Sequence, residues 1–391
     1  MRFPVRLLRY LQTPALLFGL LACVDAFTPN IRPNTDLLVV EGLITDLDEP
    51  QEIRLSRTRS TPDSTRSRPI TGAQVVVRAN DRPIALRETE PGLYRFPADF
   101  RGRVGERYQL RFTTDDNVTY ESNVETMVPV APIERIYDRF NPEGIRNPVN
   151  GRVIPSNDIY VDFQDPAGRR DFYMWRWTLY EYQDWCATCR AGLYILRDLG
   201  DRQAGSCQPD PRVGSLTEYD YVCLGLCWDI FYNPGVNIFA DQFSNGRPQT
   251  GRLVGQIPLQ QSNPCLVNVE QQSLTVGAYR YYRLFQEQTQ NTGTLADSPP
   301  APLAGNVRNL ADDAENVVGY FSASSVSINR YWLDRLNTRG GRFNGLFYFQ
   351  RGRFPNVEPR GVFRTDVPPT LPSALCVPSR TRTNLFPKGW R

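Results

Sequence analysis

There is no histidine in these 391 residues, and the only lysine is Lys388. The first absence removes Ser-His-Asp triads, Cys-His pairs and His-ligated zinc together. Catalysis would have to rest on carboxylates, tyrosines, thiols or Lys388. Carboxylate chemistry needs only two acids, but no acidic pair is distinctive enough to nominate, so the chain reads as non-enzymatic. A basic excess is missing as well. The count is 45 Lys+Arg against 42 Asp+Glu. Taking away Arg2, Arg6 and Arg9, which lie in a segment expected to be cleaved, leaves 42 against 42, so nucleic acid is not an expected partner. No Gly-rich phosphate loop or fixed-period repeat occurs, and no cofactor is expected.

Long hydrophobic runs are scarce. The apolar stretch "LQTPALLFGLLA" (11–22) is shorter than the roughly 20 residues needed to span a bilayer and follows a basic start without acids. It reads as a signal peptide over residues 1–22. The run stops at Leu20-Leu21-Ala22-Cys23, a leucine three before a cysteine and a small residue directly before it. That pattern resembles the bacterial lipobox, in which the cysteine sulfur takes a diacylglycerol and becomes the new N-terminus. Cys23 is therefore the expected lipid attachment site, and several acyl chains on one residue give stable anchoring. Residues 23–35, rich in Pro and Asn, read as a tether.

Seven further cysteines remain: Cys186, Cys189, Cys207, Cys223, Cys227, Cys265 and Cys376. In an exported chain they read as disulfide candidates, three bridges and one free thiol. The pairs "CATC" (186–189) and "CLGLC" (223–227) also have zinc-ligand spacing, but an oxidising compartment favours disulfides.

Between residues 36 and 130 short alternating segments follow one another: "LLVVEGLIT" (37–45), "EIRLSRT" (52–58), "GAQVVVRA" (72–79), "GLYRF" (92–96) and "RYQLRFT" (107–113). Strands at this spacing predict an immunoglobulin-like or transthyretin-like β-sandwich. The acidic turn at Asp115-Asp116-Asn117 reads as a hairpin turn rather than a metal loop. The polar stretch 57–72 reads as an exposed loop, and Ser64 within Asp63-Ser64-Thr65 is an O-glycan acceptor candidate. Residues 131–157, rich in Pro, Asn and Gly, read as a linker.

A larger β-rich domain with at least one packed helix is expected over 158–391. Residues 158–182 read as a β-hairpin in which Tyr173, Trp175, Trp177 and Leu179 alternate toward a core. The helix is "SLTVGAYRYYRLFQEQTQNTG" (273–293), with Ala278, Tyr282 and Phe285 on one face, Ser273 or Thr275 as N-cap and Gly293 at its end. "VVGYFSASSVS" (317–327) and "GLFYFQRG" (345–352) read as strands, and "PPAPLAGN" (299–306) as a rigid loop over the second domain's core.

Several stretches together resemble one family, the Bacteroidota outer-membrane lipoproteins classed as domain of unknown function 4249. They are the lipobox, "LVVEGLITD" with "IRLSRT", "YESNVETMVPVAPI", "ADQFSNGR", "AYRYYRLFQEQTQNTGTLADSPPAPLAGNVRN" and "VVGYFSAS". The family's ending often carries a second cysteine where this chain has Ser379, which fits the odd count and leaves the partner of Cys376 open. The resemblance implies a cell-envelope lipoprotein, often encoded beside a TonB-dependent transporter, and no established activity. The expectation is a lipid-anchored, surface-facing outer-membrane protein that captures or gates an oligosaccharide or peptide for a TonB-dependent barrel. The alternative is a free-standing surface glycan-binding or adhesion lipoprotein.

Overall fold

Strand Leu38–Thr45 shows how the alternation is spent: Leu38, Val40 and Ile44 are fully buried, while Val39, Glu41 and Leu43 face the other way. The computed structural model describes residues 36–61, 64–146, 151–198, 200, 203–289, 303–339, 344–356 and 372–391. Two β-sandwiches, a disulfide-bonded excursion and two helices make up these residues.

The first sandwich packs two sheets around Leu38, Val40, Ile53, Leu55, Val75, Val77, Leu110, Phe112 and Phe321. Full burial of such side chains contributes about 1.5–3 kcal/mol each. In one sheet the strands run in the order Val317–Ser324, Leu38–Thr45, Glu52–Thr61, Leu93–Arg95 and Arg87–Glu90. In the other the order is Val307–Asn309, Thr119–Ser122, Arg107–Thr113, Gln74–Ala79 and Arg82–Ala85. Strands 107–113 and 119–122 pair as the hairpin expected around Asp115–Asn117. The polar stretch expected as a loop is instead a second hairpin, with Ser64–Pro69 antiparallel to Glu52–Thr61.

Two strands of this sandwich come from far along the chain. Val317–Ser324 lies parallel to Leu38–Thr45, with Leu38 opposite Val317 and Thr45 opposite Ser324, and Val307–Asn309 pairs with Thr119–Ser122. A parallel pair needs a long crossover, and here the intervening chain includes most of the second sandwich. Three backbones meet at this seam. A Cβ on Gly305 would lie 2.0 Å from Gly319 O, and one on Gly319 (φ +90°) would lie 2.0 Å from Val40 O. Asn306 fixes the turn by donating Nδ2 to Phe321 O at 2.8 Å and accepting Phe321 N at 2.9 Å. The described end of the proline-rich loop thus closes on the first sandwich, not on the second domain's core.

The second sandwich faces a sheet of Arg135–Arg146, Val153–Gln164 and Pro248–Pro258 against one of Val326–Leu333, Cys265–Ser273, Phe172–Tyr182, Trp228–Tyr232 and Arg382–Thr383, with Asn237–Ala240 also paired to 172–182. The passage 131–157 is therefore not a linker: most of it is the antiparallel pair 135–146/153–164. Nor do residues 158–182 form a hairpin. The two segments sit in opposite sheets with their aromatic stripes facing inward, Phe163 and Tyr173 ring centres being 5.0 Å apart. The core reading of the stripe holds: Tyr173, Trp175, Trp177 and Leu179 are all buried.

Helix α1 (Val276–Thr289) starts at the expected cap, Thr275 Oγ1 accepting Ala278 N at 3.2 Å. Gly293 lies outside the described residues. "GLFYFQR", expected as a strand, is helix α2 (Gly345–Arg351), closed by Gly352 in the left-handed region with its N–H on Tyr348 O. Leu346 and Phe347 are buried there, and Phe347 packs on Trp185.

The cysteine-rich excursion folds as Trp185–Arg190, Glu218–Leu224 and Ser373–Leu375 beside the hairpin Gly192–Asp198/Gln203–Pro209. Cys186–Cys223 bridges neighbouring strands, Cys189–Cys207 ties in the hairpin, and Cys227–Cys376 joins positions 149 residues apart. The four sulfurs of "CATC" and "CLGLC" are thus divided among three disulfides. Cys265 is the free thiol, fully buried; burial pushes its pKa well up.

Candidate functional site

The outward residues of the first sandwich do not all meet solvent. Val39, Glu41 and Leu43, with Glu52 and Arg54 of the next strand and Val318 and Tyr320 of the parallel strand, floor a cleft of about 560 Å³. Alternation fixes this floor, since the neighbours of each floor residue point into the core. The walls come from elsewhere in the chain: Tyr281, Tyr282 and Phe285 of α1, Leu303, Arg176 and Arg380. Positions 281, 282 and 285 share one helix face, and strand Phe172–Tyr182 carries Arg176 out of the second sandwich's sheet. The site therefore lies where the two sandwiches and α1 converge.

Buried contacts hold the helix in place. Phe172, Met174, Leu274, Ala278 and Tyr320 form a cluster on which Tyr279, Tyr281 and Tyr282 pack. Below it Glu125, itself buried, accepts Thr275 Oγ1 at 2.6 Å and Tyr320 OH at 2.7 Å. Burial pushes the Glu125 carboxyl up despite these donors. Tyr281 packs at a tilt against Tyr320, ring centres 5.0 Å apart, and edge-on to Tyr282 at 5.4 Å. Burial, with Tyr282 alongside, pushes the Tyr281 hydroxyl up to about 12, so it stays a neutral hydrogen-bonding group.

The charged lining is mixed. Arg54 pairs with Glu41 at 3.9 Å, and Glu52 is held by Arg95 at 3.2 Å. Among the described residues, Arg176 and Arg380 make no ion pair. The half-buried rings of Tyr281 and Tyr282 on the cleft wall suit contact with flat apolar surfaces such as sugar rings. Guanidinium forks suit carboxylate or other oxygen acceptors. The arrangement can bind and orient a ligand.

Sequence reasoning found Tyr282 and Phe285 as one face of a helix but gave that face no role in a site; only Ala278 of α1 is fully buried. Arg54, Arg176, Tyr281 and Arg380 went unnoticed because they converge only through the parallel pairing. A usable signal was present: a helix face made of tyrosines instead of aliphatic residues is suited to a half-wet surface. The expected lipid site, Cys23, and the signal and tether segments lie outside the described residues. Ser64 opens the strand Ser64–Pro69 at the tip of its hairpin, opposite Thr61. No helix among the described residues is long and apolar enough to cross a membrane.

No curated protein and no solved structure matches this chain. A family model does, from residue 24 to residue 330, which takes in the first sandwich and most of the second. The chain belongs to the family described as Domain of unknown function (DUF4249).

Proposed function

We propose that this chain is a lipid-anchored outer-membrane protein, attached through Cys23, that serves a TonB-dependent transporter as a non-enzymatic accessory and captures substrate in the cleft between its sandwiches. The observation that supports this reading is the cleft lining, in which Tyr281, Tyr282 and Phe285 share one cavity with Arg54 and Arg176. Rings beside guanidinium groups suit an oligosaccharide or a short peptide, each of which offers flat faces and oxygen acceptors. Tethering to the membrane raises the effective concentration beside a barrel, so weak capture suffices.

The test is a binding panel of oligosaccharides and short peptides, read by calorimetry on the parent chain and on Tyr282→Ala. Losing one stacked ring, worth about 1 kcal/mol, weakens capture roughly fivefold. A ligand held equally well by the variant would show that the cleft is not the capture site. The free-standing glycan-binding alternative draws on the same tyrosine faces, and it gains if a polysaccharide binds tightly while no barrel accompanies the protein.

A further inference from the structure

Two loops of the second sandwich interlock around three aspartates. Residues 165–171 carry the chain from strand Val153–Gln164 to the opposite sheet at Phe172, and residues 241–247 follow strand Asn237–Ala240. Gly246 N donates to Asp165 Oδ2 at 3.0 Å, Asp241 N to Asp171 O at 3.1 Å, and Gly168 N to Asn245 Oδ1 at 3.1 Å. Gly246 (φ +74°) has no room for a side chain, since a Cβ would lie 2.8 Å from Ala167 Cβ. The loops bring carboxylate oxygens of Asp165, Asp171 and Asp241 within 4.8 Å of one another. These residues are 0 %, 6 % and 0 % exposed.

The hydrogen-bond accounting is incomplete at one of the three. Asp165 Oδ1 accepts Tyr173 OH at 2.6 Å, and its Oδ2 takes Gly246 N. Asp171 Oδ2 accepts Arg169 Nε at 2.8 Å. Both carboxylate oxygens of Asp241 are buried without a hydrogen-bond partner among the described residues. A buried carboxylate in that condition is strongly unfavourable. Among the described residues, Arg169 supplies the only ion pair to the cluster, so one guanidinium faces three carboxylates.

We propose that Asp165, Asp171 and Asp241 hold a calcium ion, with Asp241 as the ligand that has no other occupation. An all-oxygen, carboxylate-rich set selects a hard cation and not zinc or copper. Calcium–oxygen distances of about 2.3–2.6 Å let ligand oxygens on one ion lie up to about 5 Å apart, which the cluster satisfies. Magnesium keeps several of its waters, and loops this buried leave little space for them. A divalent ion also balances the charge that Arg169 leaves over. Arg169 further donates Nη2 to Pro129 O at 3.1 Å, so the ion would brace the segment that leaves the first sandwich.

The experiment titrates calcium into the full chain after chelator treatment, following heat and the thermal-unfolding midpoint. The expected result is one equivalent bound with half-saturation at or below about 1 mM, an upward midpoint shift reversed by EGTA, and no matching shift with magnesium. Asp241→Asn should abolish the shift, and its calcium-free midpoint should lie above the parent's because the unpaired charge is gone. Absence of heat and shift in the parent, an equal magnesium response, or a parent-like response in Asp241→Asn would overturn the proposal. Terbium emission sensitised by Tyr173 reads the same site in the unmutated chain. Emission displaced by calcium supports the assignment, and emission that is absent or not displaced overturns it.

Discussion

Glu181 and Arg335 form an ion pair with both side chains fully buried, and the pair is the point where a single substitution should do most damage. Arg335 reaches Glu181 through both terminal nitrogens and also donates to Gln261 O at 3.0 Å and Asn263 O at 2.8 Å. Gln261 Nε2 completes the set on Glu181 Oε2 at 2.6 Å. Arg335 sits at φ +58°, so the informative variant keeps an unbranched stem: Arg335→Met. It strands a carboxylate in the core, which costs about 3–5 kcal/mol, or on the order of 10 °C in midpoint for a chain of this size. Burial pushes the Glu181 carboxyl up while Arg335 and the Gln261 amide pull it back down; without Arg335, only the Gln261 hydrogen bond opposes burial. The folded variant then keeps a proton that the unfolded chain releases above a pKa of about 4.3. Its stability should be nearest the parent's below about pH 4 and should fall as pH rises through the folded-state pKa of Glu181. Thermal unfolding of parent, Arg335→Met and Glu181→Gln/Arg335→Met across pH reads this directly, with the double variant losing the pH dependence. A deficit under about 1 kcal/mol at pH 8, or one that does not change with pH, would refute the reasoning.

Other sites give independent tests. Gly319→Ala combines a positive φ with a Cβ 2.0 Å from Val40 O, so a loss of at least about 2 kcal/mol is expected; a parent-like midpoint would contradict the parallel seam. Removing Cys227–Cys376, which closes a loop of 149 residues, should cost about 2–5 kcal/mol and expose the C-terminal segment to limited proteolysis. Peptide mapping after alkylation should label Cys265 only under denaturing conditions; labelling in the native protein would show that the thiol is not core. Trp175→Ala, which also strands the Gln271 Oε1 acceptor, should cost about 3–5 kcal/mol; selective loss of ligand binding at unchanged stability would argue for a binding stripe instead.

Elements with a clear period were legible. "LVVEGLIT" and "RYQLRFT" read as strands because each buries alternate residues, and α1 read as a helix because Thr275 caps a 3.6-residue pattern. The cysteine count implied three pairs and a remainder, although spacing could not say that the remainder is Cys265. "GLFYFQR" failed because four consecutive apolar residues, Leu346 to Phe349, fit either period, and Gly352 decides for a helix only by entering the left-handed region. The 158–182 hairpin failed for a related reason: alternation and a turn are equally consistent with strands that face each other across a sandwich. The cleft was the least legible feature. It depends on Val317–Ser324 lying parallel to Leu38–Thr45 across most of the chain, a pairing no local pattern encodes. The aspartate cluster was hidden in the same way, with Asp165 and Asp171 inside the segment expected as the 158–182 hairpin and Asp241 noticed only as part of "ADQFSNGR".

The most direct test of the functional account is recovery of the tagged chain from gently solubilised outer membranes, beside Cys23→Ala, with co-purifying proteins identified by mass spectrometry. The account predicts a TonB-dependent barrel in stoichiometric amount with the parent and its loss with Cys23→Ala. Recovery of the parent chain from the membrane without any barrel would contradict it.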